Sequence, residues 1–219
     1  MGSSEHPQPL LRVSDLAVSR GGRELFSGIG FAVAPGELLL LRGPNGAGKS
    51  SLLLALAGVL RPAAGTISYR DGRSDEELAR NLHFVGHQTG VKTRLTLSEN
   101  LAFWAALFGG APSAVGDDRA MGIAEALERV GLGGKGDLDA GYLSAGQTRR
   151  LALARLLVAR RTVWLLDEPT ATLDADGDGM VEGLISNHAR AGGIAIVATH
   201  HGLDISTPGE VHTLALGAT

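Results

Sequence analysis

The run Gly43-Pro44-Asn45-Gly46-Ala47-Gly48-Lys49-Ser50 has the residue types and spacing of a loop that cradles phosphates. Its glycines let successive backbone N–H groups turn inward around a phosphate, and a helix starting at Lys49 adds its positive dipole end. Lys49 can then reach the β- and γ-phosphates of a nucleotide, the Ser50 hydroxyl can ligate Mg²⁺, and Ser51 follows in the same first turn. Farther along, Val163-Trp164-Leu165-Leu166-Asp167-Glu168 is an apolar run that ends in two acids. Asp167 at its tip can hold Mg²⁺ through the metal's water shell, and Glu168 can polarise an attacking water. Alone, such a run reads as a strand ending in solvated carboxylates. Beside a phosphate loop it completes a nucleotide-hydrolysing site.

These groups need a strand before the loop and a helix after it. Pro35-Gly36 turns into Glu37 to Arg42, a nearly continuous apolar stretch of the kind buried on both sheet faces, and Lys49 to Leu60 reads as a helix ended by Gly58 and Pro62. Ahead of these, Leu10 to Ser19 and Ile29 to Val33 alternate as strands about a Gly21-Gly22 turn. Gly65 to Tyr69 and His83 to Gly86 read as short strands. From Gln88 to Arg160 the periodicity is helical, with starts at Ser98-Glu99 (running to Phe108), Asp117-Asp118 (to Val130) and Ser144 (to Ala159). Strands return at Val163 to Leu166 and Ile194 to Ala198, with a helix near Ala175 to Arg190 between them, and Glu210 to Leu216 is a weaker strand. The expectation is an α/β protein: a P-loop core, an N-terminal antiparallel β subdomain and an inserted helical subdomain. Residues 1–9 form a polar tail, residues 10–219 one domain, and the insert covers about 89–160.

Bulk properties exclude several classes. The 219 residues carry a net charge of −3, which gives no nucleic-acid footprint. The longest strongly apolar run, Leu52 to Leu60, is far short of the roughly 20 residues that span a bilayer. No cysteine is present, so disulfides, thiolate zinc sites and iron–sulfur clusters are ruled out. A soluble, cytoplasmic chain is expected, with any membrane role coming through a partner. Lysine occurs only at 49, 92 and 135, and one of the three stands where the phosphate loop requires it.

Leu143-Ser144-Ala145-Gly146-Gln147, opening a helix with Arg149 and Arg150, resembles the signature of the ATP-binding cassette family. The resemblance implies that this helix start, with Ser144, Gly146 and Gln147, faces the γ-phosphate bound on a second subunit. Two ATP molecules would then be held in a head-to-tail homodimer. It implies further that Gln88 touches Mg²⁺ and links the core to the helical lobe, that Leu173-Asp174 crosses the dimer interface, and that His200 contacts the γ-phosphate. His200 is preferred to His201 because it directly follows Thr199 at the strand end. Two positions depart from the family pattern: Arg20 stands where an aromatic usually stacks on adenine, and Ala145 replaces the commoner glycine. A guanidinium plane can also stack on a base. The resemblance covers nearly the whole chain after residue 9, and the motifs follow family order.

Because the chain stops soon after His200, a regulatory C-terminal domain is not expected. One phosphate loop and one signature make it a single short cassette, the usual motor subunit of a membrane transporter. Val85-Gly86-His87-Gln88-Thr89-Gly90-Val91-Lys92-Thr93-Arg94-Leu95-Thr96, Glu99-Asn100-Leu101, Arg23-Glu24-Leu25-Phe26-Ser27-Gly28 and Trp164-Leu165-Leu166-Asp167-Glu168-Pro169 resemble the haem-exporter subfamily of bacterial cytochrome c maturation, apart from Thr89, where that subfamily has proline. That resemblance implies a peripheral protein on the cytoplasmic face of the inner membrane, bound to an integral membrane subunit. The segment from Gly90 to Phe108 would receive a helix of that subunit, with Phe103, Trp104 and Phe108 either in the groove or in the lobe's own core. Motors for other cargoes, and a soluble nucleotide-dependent switch that does no transport, are the rival readings.

Overall fold

The structure, a computed structural model, describes residues 10–69, 81–108, 120–200 and 202–217. Residues 1–9, the Asp117-Asp118 helix start and His201 lie outside them. Two sheets organise the rest. Strands β1 (Leu11–Arg20), β2 (Arg23–Val33) and β4 (Ala64–Tyr69) form an antiparallel sheet in the order β2-β1-β4. Strands β3 (Leu38–Arg42), β5 (Leu82–Val85), β6 (Val163–Asp167), β7 (Ile194–Ala198) and β8 (Val211–Ala215) form a second sheet in the order β5-β6-β7-β3-β8, and all its pairings are parallel.

The parallel sheet is covered on both faces, and the period of two sorts its residues. Leu39, Leu41, Val163, Leu165, Ile194 and Ile196 pack with helix α1 (Lys49–Leu56) and the antiparallel sheet in one core. Leu38, Leu40, Trp164, Leu166, Ala195 and Val197 pack in a second core with the remaining helices. These are α2 (Leu97–Phe108), α3 (Ile123–Arg129), α4 (Ala145–Val158) and α5 (Ala175–Arg190). Because neither face of the central strands β3, β6 and β7 meets water, these three are apolar up to their last residues, as buried parallel strands require, whereas the edge strand β8 is largely exposed. Helices α2, α3 and α4 lie between β5 and β6 in the sequence, and no strand interrupts them among the described residues.

Three boundaries differ from the sequence expectation, each for a local reason. Strand β2 begins at Arg23 rather than Ile29: Gly21 and Gly22 take φ of 59° and 77°, a two-residue turn that pairs Arg20 with Arg23 at once. Helix α1 ends at Leu56 rather than Leu60, because Gly58 turns left-handed (φ 71°) and its N–H bonds Ala55 O while that of Val59 bonds Leu54 O. That double bond closes a Schellman cap and stops the helix a turn early. Among the described residues, the segment before Val130 is helical from Ile123, after the extended residue Gly122.

His83 in β5 is 1% exposed, edge-on to Phe108 at 5.2 Å, with Nε2 on the carbonyl of Ala159 and Nδ1 buried without a partner. Burial, reinforced by the Arg155 and Arg161 cations, pushes its pKa down to about 3. The folded chain therefore keeps His83 neutral, whereas the unfolded chain protonates it near the ordinary value of about 6.5. This contribution to stability is full above that value and is lost as pH falls toward 3. We expect His83→Gln, which can still donate to Ala159, to flatten the pH dependence of stability by up to about 1.4 kcal/mol per pH unit between pH 6 and 4. Urea unfolding of parent and variant at several pH values checks this; parallel curves would contradict it.

Candidate active site

Parallel register brings three loops to one edge of the sheet. Asp167 pairs with Ala198 and Leu41 also pairs with Ala198, so β3, β6 and β7 end at one level. The phosphate loop, Asp167-Glu168 and Thr199-His200 leave from those ends. They enclose a cleft of about 520 Å³ lined by Arg20, Asn45, Gly46, Gly48, Lys49, Ser50, Ser51, Asp167, Glu168 and His200, together with Leu25, His87 and Ala171.

The loop itself is built around glycine at Gly43 and Gly48. Gly43 has φ 140° and Gly48 φ 98°, and a Cβ on either would come within 2.3 Å of Leu216 O or 2.9 Å of the Phe26 ring. Gly48 is the N-cap of α1 and carries no side chain to satisfy the first-turn amides. That leaves a helix start open to an anion acceptor. Lys49 Nζ is pulled into the loop, donating to Gly43 O at 2.7 Å and Pro44 O at 3.1 Å, and it stands 3.2 Å from His200 Nε2. Ala47 donates its N–H to Pro44 O, closing the turn from behind.

Glu168 is one of three non-glycine residues in the left-handed region among the described residues (φ 48°). Its N–H bonds Ala198 O at 2.8 Å. Its carboxylate lies toward His200: Oε1 is 3.2 Å from Nε2, and Oε2 accepts the His200 N–H at 3.4 Å. His200 Nε2 therefore has an ammonium on one side and a carboxylate on the other. It can accept from Lys49 or donate to Glu168, and one proton placement cannot serve both. Asp167 is buried at the strand tip.

The signature residues form a second face, apart from this cleft. Ser144 is the exposed N-cap of α4 in a full capping box: Gln147 N–H donates to Ser144 Oγ at 3.3 Å, and Ser144 N–H donates to Gln147 Oε1 at 3.0 Å. The Gln147 amide is thus committed to the cap, while exposed Ser144 and Ala145 present the helix start to solvent. Gly146 is where α4 approaches the loop after β6, since a Cβ would sit 2.9 Å from Thr172 O. Asp174 caps α5 through Gly177 N–H and pairs with Arg150 at 3.0 Å. The Gly177 amide, with help from Arg150, holds its carboxyl below the ordinary range. Neither Ser144, Gly146, Gln147 nor Asp174 lines the cleft of its own chain.

Gln88 is exposed and does not line the cleft, whereas His87 beside it does. The sequence reading passed over His87. The loop that follows is pinned by Asn100, which is 1% exposed. It accepts from Lys92 N–H and donates to the carbonyls of Lys92, Leu95 and Thr96. Arg155 from α4 holds the loop's other end through Thr89 O and Phe84 O, and lies over Trp104 at 4.8 Å. Burial pushes its pKa down to about 10. The α2 aromatics divide accordingly: Trp104 and Phe108 are half-buried and stacked, while Phe103 (39% exposed) and Leu107 (59%) face outward with Lys92 over the Phe103 ring. No helix among the described residues is long and apolar enough to cross a membrane.

Residues 26–171 match the family described as ABC transporter. The chain is 50% identical over 187 residues to the cytochrome c biogenesis ATP-binding export protein CcmA of Rhodopseudomonas palustris, covering 85% of this chain and 90% of the relative. It is 47% identical over 194 residues to the protein of the same description from Rhizobium meliloti, covering 88% and 92%. Among solved structures it resembles cbiO1 from Clostridium perfringens, part of the ABC transporter complex cbiONQ, with TM-score 0.69 and 28% identity over 89% of this chain and 79% of that one. With a phosphate loop, an acidic strand end and a capped signature helix inside the matched segment, the chain belongs to the ABC transporter family as one of its ATP-binding, ATP-hydrolysing proteins.

Proposed function

We propose that this chain is the motor of the haem export step of bacterial cytochrome c maturation. It would be a peripheral protein on the cytoplasmic face of the inner membrane, bound to an integral membrane subunit. The observation that carries the reading is the 50% identity to a cytochrome c biogenesis export protein, spread over 85% of the chain rather than confined to the motifs.

In this reading ATP enters the cleft with its phosphates on the loop 43–51 and its base toward Arg20, whose guanidinium replaces an aromatic as the stacking plane. Lys49 exchanges its loop carbonyls for β- and γ-phosphate oxygens. Ser50 and Asp167 would hold Mg²⁺, with Gln88 as a further ligand. The residues suit that ion: the Ser50 hydroxyl and the Asp167 carboxylate are hard oxygen donors, and both line the cleft. When bound, Mg²⁺ would supply positive charge that offsets the charge of the phosphates. Water attacks the γ-phosphorus, its proton passes toward Glu168, the bond to the bridging oxygen breaks and ADP leaves. His200 contacts the γ-phosphate and orients Glu168. Because Ser144, Gly146 and Gln147 lie outside the chain's own cleft, they serve the γ-phosphate of a second copy while Asp174 crosses the interface, and a head-to-tail dimer closes over two ATP. Closing and reopening would move the membrane subunit, received near Phe103 and Leu107.

Lys49→Ala should abolish ATP binding in an equilibrium titration; undiminished affinity would remove its assigned role. Glu168→Gln should keep Mg·ATP affinity and lower turnover by about three orders of magnitude or more. The same variant, captured from membranes of its native bacterium with ATP, should bring down a multi-span subunit together with haem-handling proteins, identified by mass spectrometry. A different permease would change the cargo and keep the motor. Soluble partners alone would overturn the transport reading.

A further inference from the structure

Arg149 is 4% exposed, yet none of its hydrogen bonds goes to a carboxylate. Its guanidinium donates to backbone carbonyls: Nη1 to Gly86 O at 2.8 Å, Nη2 to Asp167 O and to Glu168 O at 2.6 Å each, and Nε to Pro169 O at 3.2 Å. Burying a cation this way is expensive, and an apolar residue would pack the position at lower cost. Desolvation lowers its pKa, opposed by the Asp167 and Glu168 charges nearby.

What the arginine does with that charge follows from which carbonyls it holds. The carbonyls of Asp167, Glu168 and Pro169 belong to three successive peptide planes. The first two flank Glu168, so fixing both fixes its φ and ψ, and φ is held at 48°, a left-handed conformation that strains a non-glycine residue. A fourth bond, to Gly86, ties the same guanidinium to the end of β5, two residues before Gln88. Arg149 itself rides on the first turns of α4, the helix whose start is the signature. One rigid planar fork therefore joins the helical lobe, the loop leading to Gln88 and the backbone that aims Glu168. A lysine cannot imitate it, since three donors on a flexible stem cannot meet four carbonyls in a plane.

We infer that Arg149 is a positioning residue for ATP hydrolysis: it sets the backbone of Glu168 and couples the orientation of the signature helix to the aim of that carboxylate. The inference rests on Glu168 being the group that polarises the attacking water. Arg149 does not line the cleft, so it acts on Mg·ATP hydrolysis through Glu168 rather than by touching the nucleotide.

The test compares Arg149→Lys, Arg149→Ala and Glu168→Gln with the parent, measuring Mg·ATP affinity, kcat, KM and thermal unfolding for each. A displaced carboxylate should lower kcat by about a hundredfold in Arg149→Lys with KM changed little. Millimolar guanidinium should restore part of the turnover of Arg149→Ala, whose truncation leaves room for the ion, and none of that of Glu168→Gln. Parent-like kcat in Arg149→Lys would overturn the inference. So would a loss in Arg149→Ala that guanidinium fails to restore while unfolding temperature falls with it, because that pattern marks damaged packing. If Glu168→Gln itself turned over at the parent rate, the assignment of the base would fail, whatever Arg149 did.

Discussion

Burial of the central strands β3, β6 and β7 on both faces is the constraint on which the rest depends. A strand with no wet face cannot slip by one residue without moving its whole apolar set into the wrong core. The sorting of Leu38 and Leu40 from Leu39 and Leu41 therefore locks β3 in register with β7, and Trp164 and Leu166 against Val163 and Leu165 do the same for β6. Register in turn levels the strand ends. The loops that follow Arg42, Asp167 and Ala198 leave the core side by side, and chemistry from positions more than a hundred residues apart meets in one cleft.

At that edge the backbone is held in costly conformations, and each cost has a visible compensation. Gly43 and Gly48 use positive φ that only glycine adopts cheaply, and their missing Cβ atoms admit Leu216 and Phe26 to contact. Glu168 accepts the same penalty with a side chain attached, and bonds to Ala198 and Arg149 hold it there. Lys49, Glu168 and His200 form a row of alternating charge and ring nitrogen, in which a proton on His200 favours one neighbour over the other. Such a row is poised to respond when a phosphate enters, because Lys49 must give up loop carbonyls to meet it.

Much of this was legible in the sequence, and what escaped it did so for physical reasons. Strands β6 and β7 and helix α5 announce themselves by period and by flanking turns, and the cleft residues from Asn45 to Ser51 with Asp167, Glu168 and His200 follow from motif order. The early start of β2 required knowing that Gly21 and Gly22 both turn left-handed. The Schellman cap at Gly58 overrode an apolar run that reads as continuing helix. His87 was passed over because which of two adjacent loop residues faces a cleft depends on the peptide planes between them. Arg149 carried a faint signal: with Leu153 and Leu156 it falls on one helical face, so a charge interrupts an apolar stripe. Only the structure supplies the four carbonyls that explain it.

In the proposed dimer the site consists of two surfaces that one chain does not bring together, a phosphate-binding cleft and a capped helix start. That division makes the account testable by mixing. Lys49→Ala disables the cleft and leaves the signature; Ser144→Asp keeps an N-cap but sets a negative charge where the γ-phosphate is to be met. In a head-to-tail dimer each mixed pair rebuilds one intact site, so two inactive proteins, mixed equally, should recover about a quarter of the parent ATPase rate. A mixture as inactive as its components would contradict the account, since it would mean that cleft and signature serve the same chain.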